Sequence, residues 1–416
     1  MSNRDLDALL ASREMVLVAG SGGVGKTTVA AAMGLAAVQR QTGKVLVLTV
    51  DPARRLATAL GLEAFGNAPV RIERQTMIDA GVSPRGELYV AMLDTKAGWD
   101  ELIRRHAPDA ETRDAVLANP LYQNITSRFV RSHDYLAMEQ LHDLHATGEY
   151  DLVIVDTPPS RNALTILDAP SRMAEFFGSR LLRWLTVPYR SRLFTMASKP
   201  FYKVADSVLG SRFLQDIADF FVLFQAMEKG FVKRAREVEA LLVDPRTAFV
   251  IVSTLEAAPS HEAGYLARAL DERGMPLGAI VANRVLPAEL AGTEAAEAAE
   301  ALVAATGAEP HDLARQVAEA MNDRDDDDDN DDDASDETPS DDTVRRVDRV
   351  LHRLGQRFHD LSMVAAREAD RRAELAELSP LLLSVPWLSG DIHDLAGLEI
   401  LTEHLRAAPF RADSTR

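Results

Sequence analysis

Seven short runs of apolar, often β-branched residues recur along the chain: Met15–Ala19, Val45–Val50, Leu88–Leu93, Leu152–Val155, Ala248–Ser253, Ala279–Ala282 and Leu381–Val385. Most are continuous rather than alternating, the pattern of strands covered on both faces. Helical patterns lie between them. The alternation predicts an α/β fold with a mostly parallel sheet flanked by helices. Two long helix-rich stretches, 97–148 and 160–243, interrupt the strand series and read as insertions forming one helical subdomain. A third stretch, 321–343, is Asp-rich and of low complexity. It has little to bury and is expected to be a disordered insertion. A charged helix over about Thr343–Leu378 follows it, and the chain carries no internal repeat.

The 416 residues are 46% hydrophobic, enough for a sizeable core, and carry a net charge of −18. That charge is concentrated: residues 323–342 hold 13 acidic side chains and one Arg, leaving about −6 for the rest. A chain this acidic is not a general nucleic-acid binder. There is no cysteine, which excludes disulfides and thiolate chemistry. The first residues are charged and amphipathic, unlike a signal peptide. No run reaches the ~18 uninterrupted apolar residues of a membrane span. A cytoplasmic location is expected.

Directly after the first strand, Gly20-Ser21-Gly22-Gly23-Val24-Gly25-Lys26-Thr27 fits the pattern G-x-x-x-x-G-K-[ST], and a helical run from Thr28 follows. Strand, glycine-rich loop and helix form the context this phosphate-binding motif needs. The glycines let backbone N–H groups converge on phosphate oxygens, and the helix N-terminus adds favourable potential. Lys26 is placed to reach the β- and γ-phosphates, and the Thr27 hydroxyl to bind Mg²⁺. The fold is therefore expected to be a P-loop NTPase sheet, with 1–416 as a single such domain carrying the insertions. Asp156 ends a strand, where a ligand to Mg²⁺-bound water belongs, and this reading outweighs the simpler one of an N-cap for the next segment. Asp51, before Pro52, has two evenly balanced readings: a residue that orients or deprotonates the attacking water, or a helix cap with proline at the first helical position.

These residues resemble the ArsA-like, guided-entry (tail-anchored protein targeting) ATPases of the SIMIBI class. They form a branch of the deviant P-loop dimers related to Mrp, MinD and the nitrogenase iron protein. The likeness is carried by Gly20–Thr28, Asp51-Pro52-Ala53, Asp156-Thr157-Pro158-Pro159-Ser160, Asn283-Arg284 and Val385-Pro386-Trp387-Leu388, in the family's order. It implies that ATP or ADP with Mg²⁺ occupies Gly20, Ser21, Gly22, Gly23, Val24, Gly25, Lys26, Thr27 and Thr28. It implies further that Asp51 activates water, that Asp156 opens a second switch through Leu164, and that Asn283, Pro386 and Leu388 surround the base. Two subunits would face each other across their nucleotides.

The chain resembles an actinobacterial-type member that departs from the pattern. Ser21 stands where the family has a lysine that reaches across the dimer; such a trans cation is worth roughly 10³–10⁵ in rate. The Cys-x-x-Cys that holds a dimer-bridging zinc in many targeting members is missing. No cysteine is present for arsenite, so arsenite pumping is not expected. A homodimer would lack the lysine at both sites and hydrolyse ATP slowly. A heterodimer with a lysine-bearing paralogue would regain it at this chain's site.

Phe213, Ile217, Phe220, Phe221, Phe224, Met227 and Phe231 recur at helical spacing. They read either as the buried face of the helical subdomain or as part of a groove for an apolar client helix. Residues 178–204 have no acidic side chain but carry six basic ones among aromatics. They read as a solvated loop or as a peripheral contact for an anionic membrane. His133, Asp134 and Glu139 lack metal-like spacing, and the Asp-rich run lacks the Gly and closing Glu of a calcium loop. The leading expectation is a dimeric ATPase that couples nucleotide state to an apolar client or partner protein. The alternative is a low-activity regulatory subunit of a heterodimer. A MinD-like membrane switch is a third reading, weakened by the short tail helix at Leu398–Arg406.

Overall fold

A computed structural model describes residues 5–49, 60, 68–92, 100, 103–104, 107, 109–119, 122, 141–157, 232–307, 312–325, 339–388 and 390–407. The core is an eight-stranded sheet in the order β3-β4-β2-β5-β1-β6-β7-β8. The strands are β1 (Met15–Ala19), β2 (Lys44–Thr49), β3 (Val70–Arg71), β4 (Glu87–Met92), β5 (Leu152–Asp156), β6 (Thr247–Ser253), β7 (Leu277–Val285) and β8 (Leu382–Pro386). The runs β2, β4, β5, β1, β6 and β7 pair in parallel, and β3 pairs antiparallel to β4 at the edge. All seven expected strands are present, within a few residues of their expected bounds. The two-residue β3 carries no periodicity of its own. Every residue of β1, β5 and β6 is buried, as continuous apolar runs require.

Helix α1 (Leu6–Ala11) is capped by Asp5, whose side chain accepts from the Ala8 N–H at 2.8 Å. Helix α2 (Lys26–Arg40) is rich in alanine and buries ten consecutive residues, Val29 to Val38. Gly34 lets it lie close to the sheet: a Cβ there would press on Val47 and Leu88. Further helices are α3 (Arg74–Asp79), α4 (Ala110–Ala118), α5 (Ala257–Glu272), α6 (Thr293–Ala304), α7 (Asp312–Asp325), α8 (Asp341–Leu378) and α9 (Leu395–Arg406). α9 is fastened along α2. Thr402 Oγ1 donates to the Ala32 carbonyl at 3.1 Å, and Arg406 Nη2 to the Ala36 carbonyl at 2.7 Å. Leu398, Leu401 and Leu405 are buried in the same core as α2, each contributing about 1.5–3 kcal/mol.

The chain divides into two compact units, Met1–Asn283 with Leu375–Val385 and Ser389–Arg416, and Arg284–Glu374 with Pro386–Leu388. In the second, Ala314 and Ala318 of α7 cluster with Val344 of α8. Gly355 of α8 accommodates Leu302 and Val303 of α6. The charged helix expected over Thr343–Leu378 is present as α8. At its two ends the Asp-rich stretch 321–343 is helical, through α7 to Asp325 and through α8 from Asp341. Asp341 and Asp342 stand in the first turn of α8, where negative charge favours a helix. No helix among the described residues is long and apolar enough to cross a membrane.

Candidate functional site

The parallel strands place β1 between β5 and β6, so the loop leaving β1 emerges at the centre of the sheet's C-terminal edge, where open α/β sheets bind ligands. Gly20 begins the loop with φ 147°, and a Cβ on it would fall on the Val252 carbonyl of β6. Gly23, with φ 81°, has open space where its Cβ would stand. Gly25 is the N-cap of α2 in the left-handed region (φ 95°), and no side chain caps the first turn. The first N–H groups of a long, buried helix therefore face the loop.

Lys26 is the first residue of α2 and is only 6% exposed. Its Nζ donates to the Ser21 carbonyl at 2.8 Å, so the loop wraps around the ammonium. One residue on, the Thr27 hydroxyl donates to Asp156 Oδ2 at 2.6 Å. Asp156 closes β5, in register with Val18 of β1 and Thr49 of β2. Its carboxylate is fully buried, and the Thr49 hydroxyl donates to the same Oδ2 at 2.9 Å. The two hydroxyls supply hydrogen bonds that a buried carboxylate cannot take from water. The Thr157 hydroxyl and N–H both bond the Val18 carbonyl, fixing the chain just beyond Asp156. This hydroxyl–carboxylate pair beside a buried ammonium offers the hard oxygen donors that Mg²⁺ takes, and the glycine cradle offers N–H groups for phosphate oxygens. The residues fit a magnesium-bound nucleotide.

Asn283, near the end of β7, donates from Nδ2 to the Val24 carbonyl at 2.8 Å. It thus stands against the loop. Pro386 ends β8 and Leu388 follows the exposed Trp387; both belong to the second unit. Asp51 lies outside the described residues, as do 158–164 of the expected second switch. So do Phe213 to Phe231, 178–204 and His133, Asp134 and Glu139. Among the described residues, no group of three or more His, Asp or Glu side chains is arranged to hold a metal ion by itself.

Two neighbours of the loop escape a reading of the sequence. Thr49 is a polar residue at the end of an apolar strand, and only the β2–β5 register gives it a role. Glu262 of α5 accepts from the Ser21 hydroxyl through Oε2 at 2.6 Å, across a separation of 241 residues. No local signal marks either. A cavity of about 460 Å³ lined by Lys44, Arg71, Arg85 and Asp151 lies elsewhere, at the starts of β2 and β4. That is the edge away from the loop, opposite to where such sheets bind nucleotides.

Comparison with known proteins gives a family match. Residues 13–305 match the profile of the family described as anion-transporting ATPase. An uncharacterized protein of Streptomyces coelicolor is 29% identical over 273 residues, 65% of this chain and 62% of its own length. The ATPase GET3 of Malassezia globosa is 25% identical over 66% of this chain and 73% of its own. An ATPase ASNA1 homolog of Trypanosoma cruzi is 27% identical over 67% of this chain and 76% of its own. The chain thus spans less than two thirds of the Streptomyces relative's length.

Proposed function

The chain belongs to the anion-transporting ATPase family, and from that premise we propose that it binds magnesium-ATP at residues 20–28 and hydrolyses it to ADP and phosphate. The Thr27–Asp156 hydrogen bond carries this reading, because it joins the loop hydroxyl to the strand-end carboxylate on one buried oxygen. Mg²⁺, when bound, neutralises charge on the β- and γ-phosphate oxygens. Thr27 would hold it directly and Asp156 would orient its bound water. Lys26 leaves the Ser21 carbonyl to meet the phosphates, and the N–H groups of Gly22 to Thr28 stabilise charge developing on the γ-phosphate. Asp51 positions the attacking water. Asn283, held against Val24 of the loop, receives the base.

The protein works as a dimer, and the nucleotide state, read through the segments after Asp51 and Asp156, governs binding of an apolar client or partner protein. The relatives named GET3 and ASNA1 homolog support an ATPase role. The second reading, a slow regulatory subunit of a heterodimer, is favoured by Ser21, whose short hydroxyl is already engaged within its own chain.

Phosphate release by the purified protein, measured with and without a lysine-bearing paralogue, tests both. Hydrolysis lost in Lys26→Ala supports the enzyme. Turnover that appears only on mixing supports the heterodimer. Failure of magnesium-ATP and magnesium-ADP to bind at all sinks the proposal.

A further inference from the structure

Glu262 belongs to no motif, yet the topology brings it to the phosphate loop. β1 and β6 run side by side in parallel, with Ala19 opposite Ile251. Both chains therefore leave the sheet at the same edge. Ser21 comes two residues after β1, and α5 starts four residues after β6. Glu262 lies in the second turn of α5, and its Oε2 accepts the Ser21 hydroxyl at 2.6 Å. Its other oxygen, Oε1, is buried and has no hydrogen-bond partner among the described residues. Ser21 is held from a second side, since its carbonyl accepts from Lys26 Nζ at 2.8 Å.

Both contacts oppose a polyphosphate. A carboxylate hydrogen-bonded to the loop adds negative charge beside a cradle meant for anions. The ammonium that should grip the phosphates is meanwhile bonded to the residue that this carboxylate restrains. We propose that Glu262 is a positioning residue of the nucleotide site: through Ser21 it holds the phosphate loop in this form and weakens its grip on the nucleotide. The inference rests on the nucleotide reading above. It gives the site a built-in opposition to retaining ADP, separate from any partner.

The test is equilibrium titration of the full chain with fluorescent mant-ADP and Mg²⁺, at low and high salt, for wild type, Glu262→Gln, Ser21→Ala and the double variant. Glutamine keeps the shape and an acceptor for Ser21 but removes the charge. Glu262→Gln is expected to bind about threefold to tenfold more tightly at low salt, with the gain shrinking at high salt. In the Ser21→Ala background the gain is expected to shrink, because the carboxylate is no longer tied to the loop. A merely structural role would give neither the salt dependence nor that coupling. Binding by Glu262→Gln that is weaker than wild type, or within twofold of it, overturns the inference. So does an equal gain in both backgrounds. Should Glu262→Gln fold poorly, Ser21→Ala alone carries the test: tighter binding supports the inference and weaker or unchanged binding overturns it. If wild type binds no mant-ADP, the nucleotide reading falls and this inference with it. If wild type binds, a negative result touches Glu262 alone.

Discussion

The Thr27 hydroxyl and Asp156 Oδ2 lie 2.6 Å apart, although 129 residues separate them in the chain. The parallel pairing of β1 with β5 makes that contact, and Thr49 reinforces it from the other flanking strand. Asp156→Asn is therefore expected to reduce ATP hydrolysis on the order of 10²-fold and to weaken the Mg²⁺ dependence of nucleotide binding. Thr49→Ala leaves Thr27 in place; it should cost about 1 kcal/mol of stability and leave Mg²⁺ dependence intact. Steady-state kinetics against Mg²⁺ concentration and denaturant unfolding separate the two. Equal kinetic effects of both changes would count against the assigned roles.

Lys26 is buried at the start of α2. Lys26→Ala should abolish the rise in melting temperature produced by magnesium-ADP; at a ligand excess of 100 Kd that stabilisation is about 2.7 kcal/mol. Differential scanning fluorimetry with and without nucleotide reads it. An unchanged ligand-induced shift would remove Lys26 from the site.

Gly20 and Gly23 both have positive φ but differ in surroundings. Gly20→Ala drives a methyl group into the Val252 carbonyl, so a loss of about 3 kcal/mol or more is expected. Gly23→Ala meets only the backbone penalty, about 1–2 kcal/mol. Chemical denaturation of the two variants compares them directly, and equal losses would contradict the described loop path.

Asp244 accepts from the Arg246 Nε, Nη2 and backbone N–H, and these bonds lower its pKa to about 2. A carboxylate depressed in the folded state contributes stability above its ordinary range, and this is lost as pH falls toward about 2. Because the pair faces solvent, salt should shrink the effect. Asp244→Asn is expected to flatten the acid limb of stability only below about pH 4. Melting temperatures across pH at low and high salt measure this, and an effect confined to neutral pH would refute it.

A lysine introduced at position 21 would meet Glu262 first. Ser21→Lys alone is therefore expected to leave hydrolysis slow, with the new ammonium held by the carboxylate of its own chain. Ser21→Lys combined with Glu262→Gln frees it and should raise turnover at least tenfold in a dimer. Phosphate-release rates of the single and double variants decide; a single change as fast as the double shows no such capture.

The strands were legible because burial on both faces leaves long apolar runs, as in Leu152–Val155 and Ala248–Ser253. The loop was legible because its glycines, Lys26 and Thr27 are contiguous. β3 was not, being a two-residue bridge that exists only because β4 lies beside it. Thr49 and Glu262 were illegible for a related reason. Each is an ordinary residue on its own element, and strand order alone brings it to Asp156 or Ser21. Asn283 was placed by resemblance, and its bond to Val24 gives it a local structural reason to be there.

The clasp of α9 on α2 spans 370 residues between Thr402 and Ala32. During translation the helix that starts at Lys26 leaves the ribosome long before its cover exists. At about 5–20 residues per second, the wait is on the order of tens of seconds. Until then a row of alanine and valine side chains stays available to chaperones. A nascent polypeptide arrested before residue 395 would emerge with the α9-facing side of that helix unshielded.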